Sequence, residues 1–361
     1  MNICVIGAGN GGLALAGFLG MRGYNITLYN RSLRRISAFK TSRQIKLEGQ
    51  INATVTIDEV TTDLEKALEN AKLIMIVVPA FAHADIAKKV APYVKNGQIF
   101  ILNPGRTFGA LEFWEVLKRE GMKKEIIVAE AQTFLFASRT SNPGVSHIFK
   151  IKNAVPVSAL PARKNNELKD VVEEVIPEMQ VVESTLYTSF NNIGAVFHPA
   201  TLILNAGRVE STFGKFEFYL EGITPSIAKV LEKIDSERCA VARTLGLEPM
   251  TSVEWLNYAY DVLGMNLYEA IHNNSGYQGI IAPPSLQNRY IFEDVPMSLV
   301  PISSMAKKLG IATPAIDSII YIASIMMNRD FYREGRTLEK LGIANLTLSQ
   351  INRLLKEGDL N

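Results

Sequence analysis

Near its start the chain carries Ile3-Cys4-Val5-Ile6 followed directly by Gly7-Ala8-Gly9-Asn10-Gly11-Gly12. An apolar strand, a glycine-rich turn, a helix over residues 10–22 and a second strand at 25–29 are typical of a dinucleotide-binding βαβ unit. The first glycine permits a tight turn, the second lets the backbone approach a pyrophosphate, and the third lets the helix pack against the strand. The N-terminus of the helix favours the anion. Gly7, Gly9, Asn10, Gly11 and Gly12 are therefore predicted to bind a dinucleotide, and a purely structural turn is the alternative.

The residues after the second strand predict which dinucleotide is bound. NAD-binding proteins usually place Asp or Glu there, to accept a hydrogen bond from the ribose 2′-hydroxyl, whereas a 2′-phosphate needs a neutral or basic pocket. Here the residues are Asn30, Arg31 and Ser32, followed by Arg34 and Arg35. Donors without a carboxylate favour NADP(H). A solvated basic turn beside bound NAD(H) is the alternative.

Strands and helices alternate through the first half of the chain. The predicted strands are residues 3–6, 26–29, 73–78, 98–102, 125–129, 148–151 and 155–159, with helices at 63–70 and 82–94 among them. This alternation predicts a doubly wound, mostly parallel Rossmann sheet. Ligands bind such sheets beyond the carboxyl ends of the strands. Val78, Pro79, Ala80, Asn103 and Gly105 lie at such ends and are predicted to contact the cofactor, although ordinary strand–helix turns would look similar.

The pattern changes beyond residue 185. From residue 192 onward apolar residues recur at helical spacing. The predicted helices are residues 201–211, 225–245, 251–260, 263–272, 297–309, 313–327 and 347–356. We therefore expect an α/β protein of two domains, an NAD(P)-binding Rossmann domain over residues 1–185 and an all-helical substrate and catalytic domain over residues 186–361.

The composition limits the choice of partners. A net charge of +2 argues against nucleic acid or an anionic membrane as the main partner. The two cysteines, Cys4 and Cys239, make no disulfide framework, which fits a reducing cytoplasm. We predict small-molecule substrates and no metal site. The apolar segment 319–327 is expected either in the core or at a homodimer interface.

Three residues of the helical half are candidates for chemistry. His198 precedes Pro199, a residue that favours the first turn of a helix, so His198 is expected at a helix entrance, where its charged form would need a carboxylate partner. Arg289 offers a planar fork suited to a carboxylate, and Asp294 is suited to orient a histidine. A packed capping histidine, a surface arginine and a helix-start aspartate are the alternatives.

Taken in order, these motifs resemble the octopine/nopaline dehydrogenase-like, or opine dehydrogenase, family. The resemblance covers nearly the whole chain. It rests on residues 7–12, 78–80, 103–105, 129–139, 197–199 and 289–296. The His-Pro and Glu-Asp-Val-Pro elements are specific to the family, whereas the glycine motif is shared with many dehydrogenases.

The resemblance implies a Rossmann domain followed by a helical domain. It also implies an enzyme that condenses an α-keto acid with an amino acid and reduces the imine with NAD(P)H. In that family the catalytic histidine corresponds to His198, its aspartate to Asp294, and the arginine that holds the keto-acid carboxylate to Arg289.

Other positions follow less directly from the resemblance. Residues after the fifth strand shape the amino-acid pocket in the family, which points to Glu130 and Gln132. Asn205, seven residues after His198 on the same helix face, is a further candidate for substrate binding. The chain departs from the family at Ala131, where a hydroxyl residue is common, and after the second strand, where other members carry an acidic residue.

Two other functions stay open at this point. One is an NADP-dependent 2-keto-acid or hydroxy-acid reductase of the ketopantoate or glycerol-3-phosphate dehydrogenase type, which centres its chemistry on a lysine. Lys215 and Lys229 are available but belong to no motif of that kind. The other is a non-catalytic NADP(H) sensor, against which the joint presence of His198, Arg289 and Asp294 argues.

Overall fold

The glycine motif follows the first strand of the chain, which lies in the interior of a large sheet. A computed structural model describes residues 1–360. Its strands are β1 (Asn2–Ile6), β2 (Asn25–Tyr29), β3 (Gln44–Gly49), β4 (Ala53–Thr56), β5 (Glu59–Thr61), β6 (Leu73–Ile76), β7 (Ile99–Leu102), β8 (Ile127–Ala131), β9 (Phe136–Asn142), β10 (Val145–Ile151), β11 (Val155–Leu160) and β12 (Met179–Val181).

Eight strands form the main sheet in the order β12-β11-β8-β7-β6-β1-β2-β5. Every neighbouring pair is parallel except β8 with β11. Strands β6 and β7 are buried along their whole length, as expected where helices cover both faces of a parallel sheet. Chain order runs outward from β1 in both directions, so β1 and β6 flank the point where the topology reverses. The predicted Rossmann architecture is confirmed.

A second sheet, with the order β4-β3-β10-β9, was not predicted as a sheet. In β3 the buried Ile45 and Leu47 alternate with polar neighbours, a period-2 signal that was available in the sequence. Strand β9 buries only Phe136, and the residues after Ala137 are all polar, so its sequence lacks that signal.

The described residues also form seventeen α-helices. They are α1 (Asn10–Met21), α2 (Leu33–Ile36), α3 (Leu64–Leu68), α4 (His83–Val90), α5 (Gly109–Arg119), α6 (Asn165–Val175), α7 (Thr185–Phe190), α8 (Gly194–Leu204), α9 (Ala206–Thr212), α10 (Pro225–Thr244), α11 (Ser252–Tyr260), α12 (Leu267–His272), α13 (Arg289–Phe292), α14 (Val300–Leu309), α15 (Pro314–Met327), α16 (Phe331–Glu334) and α17 (Leu348–Glu357). In the described part of the chain, no helix combines the length and apolar character needed to cross a membrane.

The chain divides into two compact units. The sheet unit contains residues 1–105, 109–185 and the chain from 354 onward, and the helical unit contains residues 106–108 and 186–353. The chain up to residue 185 thus forms the sheet unit apart from residues 106–108, and the residues from 354 onward return to it.

The expected position of His198 at a helix entrance is wrong. Helix α8 begins at Gly194, so His198 lies in its middle and Pro199 is an interior proline. An interior proline costs about 3 kcal/mol. Apolar residues on both sides of Pro199, including Phe197 and Leu202, are fully buried, and this packing holds the helix together across the proline.

Candidate active site

The glycine turn of the sheet unit leaves no room for side chains at two positions. Gly7 has φ +113°, and a Cβ there would lie 2.4 Å from the carbonyl oxygen of Val77. A Cβ on Gly12 would lie 1.7 Å from the carbonyl oxygen of Gly7, so α1 packs against the turn as the motif predicts. Above Gly9 there is open space, and no described side chain caps the start of α1 there. The backbone N–H groups at the start of α1 are therefore suited to a bound pyrophosphate.

Asn30 braces the glycine turn from the end of β2. Its Oδ1 accepts a hydrogen bond from the N–H of Ala8 at 3.0 Å, and its Nδ2 donates to the carbonyl of Ser32 at 2.9 Å. The side chains of Arg31, Ser32 and Arg35 are exposed beside it. The surroundings of this turn are thus basic and lack a carboxylate at the position that usually contacts the ribose.

The other predicted cofactor residues lie at the carboxyl ends of β6 and β7 or beside them. Val78 is half-buried, Pro79 is exposed and Ala80 is buried. Asn103 is buried, and its Nδ2 donates to the carbonyl of Ile101 at 2.7 Å. The N–H of Gly105 donates to the carbonyl of Ala131 at 3.1 Å.

Asn10, the first residue of α1, contacts the second sheet. Its Oδ1 accepts a hydrogen bond from the N–H of Thr140 at 3.0 Å, which ties the start of α1 to β9. In the described structure this side chain therefore has a structural contact in addition to its predicted place beside the cofactor.

Glu130 and Gln132 are buried within the sheet unit. The Glu130 carboxylate accepts a hydrogen bond from the N–H of Ala110 at 2.7 Å, in the first turn of α5, where a negative charge is favoured. A Cβ on Gly105 would lie 2.4 Å from the Cβ of Glu130, so the loop after β7 packs tightly on this side chain. The backbone N–H of Gln132 donates to the carbonyl of Pro156.

The structure brings His198 and Asp294 together in the helical unit. Nδ1 of His198 lies 2.9 Å from Oδ2 of Asp294, which is fully buried. Because a carboxylate only accepts, Nδ1 carries the hydrogen when the ring is neutral, and Nε2 is then an acceptor. Nε2 lies 3.1 Å from the hydroxyl oxygen of Tyr219, and the imidazole stacks on the ring of Tyr290 at 4.2 Å.

Arg106 is a member of this cluster that the sequence analysis missed. Its Nη1 lies 3.0 Å from Oδ1 of Asp294, and its Nε donates to Oε1 of Glu293 at 3.3 Å. A Cβ on Gly194 would lie 2.2 Å from Nη1, so glycine at the start of α8 makes room for the guanidinium. The sequence showed Arg106 only as the residue after an Asn-Pro-Gly turn, a signal that points to no contact with Asp294.

Arg289 and Asn205 occupy different surroundings. The Arg289 side chain is 47% exposed, and its Nη1 lies 3.7 Å from Oε2 of Glu293. The Glu293 carboxylate therefore lies between two arginines, one buried and one half-exposed. Asn205 directly follows α8 and donates from Nδ2 to the carbonyls of Thr201 and Gly222, both at 2.8 Å, so its amide nitrogen is already bonded to the backbone.

Charges inside the cluster shift its proton affinities. Burial lowers the pKa of His198 below its ordinary value, Arg106 and Arg289 lower it further, and Asp294 opposes them. Burial also acts to lower the pKa of Arg106, but Asp294 and Glu293 outweigh it and the net shift is upward. The imidazole is therefore neutral at neutral pH, with Nε2 able to accept a proton.

Comparisons with known proteins identify the family to which the chain belongs. The family model described as NAD/NADP octopine/nopaline dehydrogenase, alpha-helical domain, matches residues 181–327, and the model described as NAD-dependent glycerol-3-phosphate dehydrogenase N-terminus matches residues 2–105. The chain is 40% identical to an opine dehydrogenase of Arthrobacter sp. (strain 1C) over 348 residues, which cover 96% of both chains.

Solved structures show the same fold. Octopine dehydrogenase in complex with NADH and agmatine matches with a TM-score of 0.80 and 22% identity, covering 99% of this chain and 98% of that one. Yersinopine dehydrogenase with NADP+ bound matches with a TM-score of 0.72 and 14% identity, at the same coverage. The match of the helical half, together with the 40% identical relative, favours the opine alternative over the ketopantoate type of reductase and over a non-catalytic sensor. The chain belongs to the opine dehydrogenase family, NAD(P)-dependent oxidoreductases that reduce the imine formed between an α-keto acid and an amino acid.

Proposed function

We propose that this opine dehydrogenase uses NADP(H), that His198 moves the protons of the condensation with Asp294 as its partner, and that Arg289 holds the keto-acid carboxylate. The observation that carries the proposal is the 2.9 Å contact between Nδ1 of His198 and buried Oδ2 of Asp294. A buried carboxylate fixes the tautomer and orientation of an imidazole and stabilises its charged form.

The protons balance through a single base. An amino acid arrives as an ammonium ion, and His198 accepts one of its protons at Nε2, so that the free amine can attack the keto carbon. The imidazolium, paired with Asp294, returns the proton to the hydroxyl of the adduct, which leaves as water and gives the iminium. A nicotinamide dinucleotide held at the turn of Gly7, Gly9 and Gly12 would supply the hydride that reduces the iminium carbon. One further proton from solvent yields the secondary ammonium product.

Arg289 suits the carboxylate of the keto acid because it is accessible and only loosely paired. The distance of 3.7 Å between Nη1 of Arg289 and Oε2 of Glu293 is longer than a hydrogen bond. A substrate carboxylate can accept two parallel hydrogen bonds from the guanidinium. Glu293 keeps the buried charge of Arg106 beside it when Arg289 turns to the substrate.

The preference for NADP(H) is supported by Asn30, Arg31, Ser32 and Arg35. The Asn30 side chain is occupied by the glycine turn, and exposed basic side chains follow it. A ribose 2′-phosphate needs such neutral and basic surroundings.

Glu130, Gln132 and Asn205 stay proposed members of the amino-acid pocket. The carbonyl oxygen of Asn205 is the part of that side chain suited to accept a hydrogen bond from a substrate donor. A homodimer and a cytoplasmic location likewise stay predictions from the sequence.

The test is whether turnover needs both substrates. Oxidation of NADPH is followed with a keto acid alone and then with a panel of amino acids added. We expect oxidation only when both are present. Equal turnover with the keto acid alone would instead support a simple keto-acid reductase.

A further inference from the structure

The Tyr219 hydroxyl contacts Nε2 of His198, the ring nitrogen that can gain or lose a proton while Nδ1 faces Asp294. Nδ1 faces Asp294, one face of the ring stacks on Tyr290, and the single lone pair of Nε2 lies in the ring plane. The Tyr219 hydroxyl is 3.1 Å from Nε2 and donates to it when the imidazole is neutral. A proton that enters or leaves Nε2 must therefore pass through this hydroxyl or displace it.

Displacement of Tyr219 is resisted by its surroundings. The residue is only 6% exposed. Its ring stacks on Tyr277 with centroids 4.0 Å apart and an interplanar angle of 14°, and it meets Phe218 edge-on at 5.0 Å. The backbone is also held, because the N–H of Phe218 donates to the carbonyl of Ile280 and the Tyr219 carbonyl accepts from Ile223.

We propose that Tyr219 is a further catalytic residue, a relay whose hydroxyl exchanges protons with the reacting amine and hydroxyl groups on behalf of His198. The proposal rests on the function proposed above for His198. A hydroxyl can donate one hydrogen bond while its oxygen accepts others, so it can receive and pass on a proton in one concerted step.

The relay balances in both directions. As the substrate ammonium gives a proton to the Tyr219 oxygen, the original hydroxyl proton passes to Nε2, so tyrosine stays neutral and His198 becomes the imidazolium beside Asp294. In the dehydration step Nε2 returns a proton to the Tyr219 oxygen, and the hydroxyl proton goes to the oxygen that leaves as water. Tyrosine carries no lasting charge at any point.

The test removes the hydroxyl and keeps the ring. In Tyr219→Phe the stacking on Tyr277 is retained, so we expect kcat to fall by about 10²- to 10⁴-fold, the range typical of general acid–base catalysis. The KM of the keto acid and the binding of NADPH, titrated by its fluorescence, should change by less than about threefold, because the groups proposed to hold the keto-acid carboxylate and the dinucleotide, Arg289 and the glycine turn, are unchanged in the variant. The matched control is Tyr277→Phe, which removes a hydroxyl from the stacked partner and is expected to keep kcat.

The possible outcomes distinguish an error in the Tyr219 relay from an error in the function proposed for His198 and Asp294. A Tyr219→Phe enzyme with wild-type kcat overturns the relay. His198→Ala, assayed in the same experiment, shows whether the proposed role of His198 is also wrong. If His198→Ala also turns over normally, the proposed function is wrong; if it is inactive, only the relay is wrong.

A second measurement needs no variant and so does not depend on the folding of one. When kcat of the wild-type enzyme is measured in mixtures of H₂O and D₂O, two protons moving together give a curved dependence on the deuterium fraction. A straight line would count against the relay.

Discussion

Arg106 and Asp294 form an ion pair inside the helical unit, with Nη1 3.0 Å from Oδ1. The other oxygen of the same carboxylate meets His198 at 2.9 Å. The Asp294 carboxylate therefore contacts both the permanently charged Arg106 and the titratable His198. Because like charges disfavour one another, Arg106 lowers the pKa of His198, and its loss must raise it.

This sign gives the first prediction. In Arg106→Gln we expect the acid limb of the pH profile of kcat/KM to move to higher pH, since His198 then keeps its proton further up the scale and cannot accept one from the amine. Removing one partner of a buried charge cluster also costs about 3–5 kcal/mol of stability. Arg106→Lys keeps the charge and is expected to leave the limb near its wild-type position. The measurement is kcat/KM across pH for the three enzymes, at temperatures where each is folded.

In Asp294→Asn we expect the pKa of His198 to shift in the opposite direction. Asp294 raises the pKa of His198, so its neutralisation should move the acid limb to lower pH while kcat falls. If Arg106→Gln and Asp294→Asn shifted the limb in the same direction, the two side chains would not act on His198 with opposite signs.

The second prediction concerns Arg289. In Arg289→Ala we expect the KM of the keto acid to rise by about 10- to 100-fold, because a charge-assisted hydrogen bond contributes about 1.5–3 kcal/mol. The melting temperature should stay close to that of the wild type, since the side chain is 47% exposed and its one ion pair is long. Steady-state kinetics with the keto acid varied at saturating amine check this, and an unchanged KM would remove Arg289 from the carboxylate site.

The third prediction concerns the choice of dinucleotide. Arg31→Ala should raise the KM of NADPH by about tenfold, equivalent to roughly 1.4 kcal/mol, and leave that of NADH nearly unchanged. Asn30→Asp is the complementary change. It keeps the acceptor for the Ala8 N–H and adds the carboxylate that suits a free ribose, so the NADH/NADPH ratio of kcat/KM should rise. Equal losses with both dinucleotides in Arg31→Ala would contradict the assignment to a 2′-phosphate.

The fourth prediction separates two glycines of the same motif. In Gly12→Ala the new Cβ meets the Gly7 carbonyl oxygen at 1.7 Å, so we expect a loss of stability of about 3 kcal/mol or more, seen as a lower midpoint in urea. In Gly9→Ala the Cβ enters open space, so stability should hold while the affinity for NADPH falls. Equal melting curves for the two variants would refute the packing argument.

The glycine turn and the parallel strands could be predicted because their signals are local. The apolar run of β1 and the spacing from Gly7 to Gly12 are adjacent in the chain, so together they indicate a strand, a turn and a helix without knowledge of any tertiary contact. His198 and Asp294 could be paired in advance only through the resemblance, since 96 positions separate them in the chain.

Arg106 and Tyr219 were missed for a physical reason. The contact of Arg106 with Asp294 depends on a left-handed backbone at Arg106, with φ 61°, and on the space left by Gly194. Tyr219 lies outside the α-helices and strands, so no periodicity marks its face. Its contact with His198 arises from tertiary packing of Phe218, Tyr277 and Tyr290, which the order of residues does not encode locally.

Residues 106–108 belong to the helical unit although they precede residue 185. Dividing the chain at residue 185, as in a hybrid of two relatives, therefore separates Arg106 from its partners. A fragment that starts at residue 186 contains Asp294 and Glu293 but lacks the arginine that compensates both carboxylates. In such a fragment only His198 and the half-exposed Arg289 remain beside these carboxylates, so we expect a less stable core in which His198 keeps its proton to higher pH, because a buried charge that loses its partner is costly. A hybrid enzyme joined at residue 185 likewise takes Arg106 from one parent and Asp294 and Glu293 from the other. The pKa of its His198 therefore depends on residues of both parents.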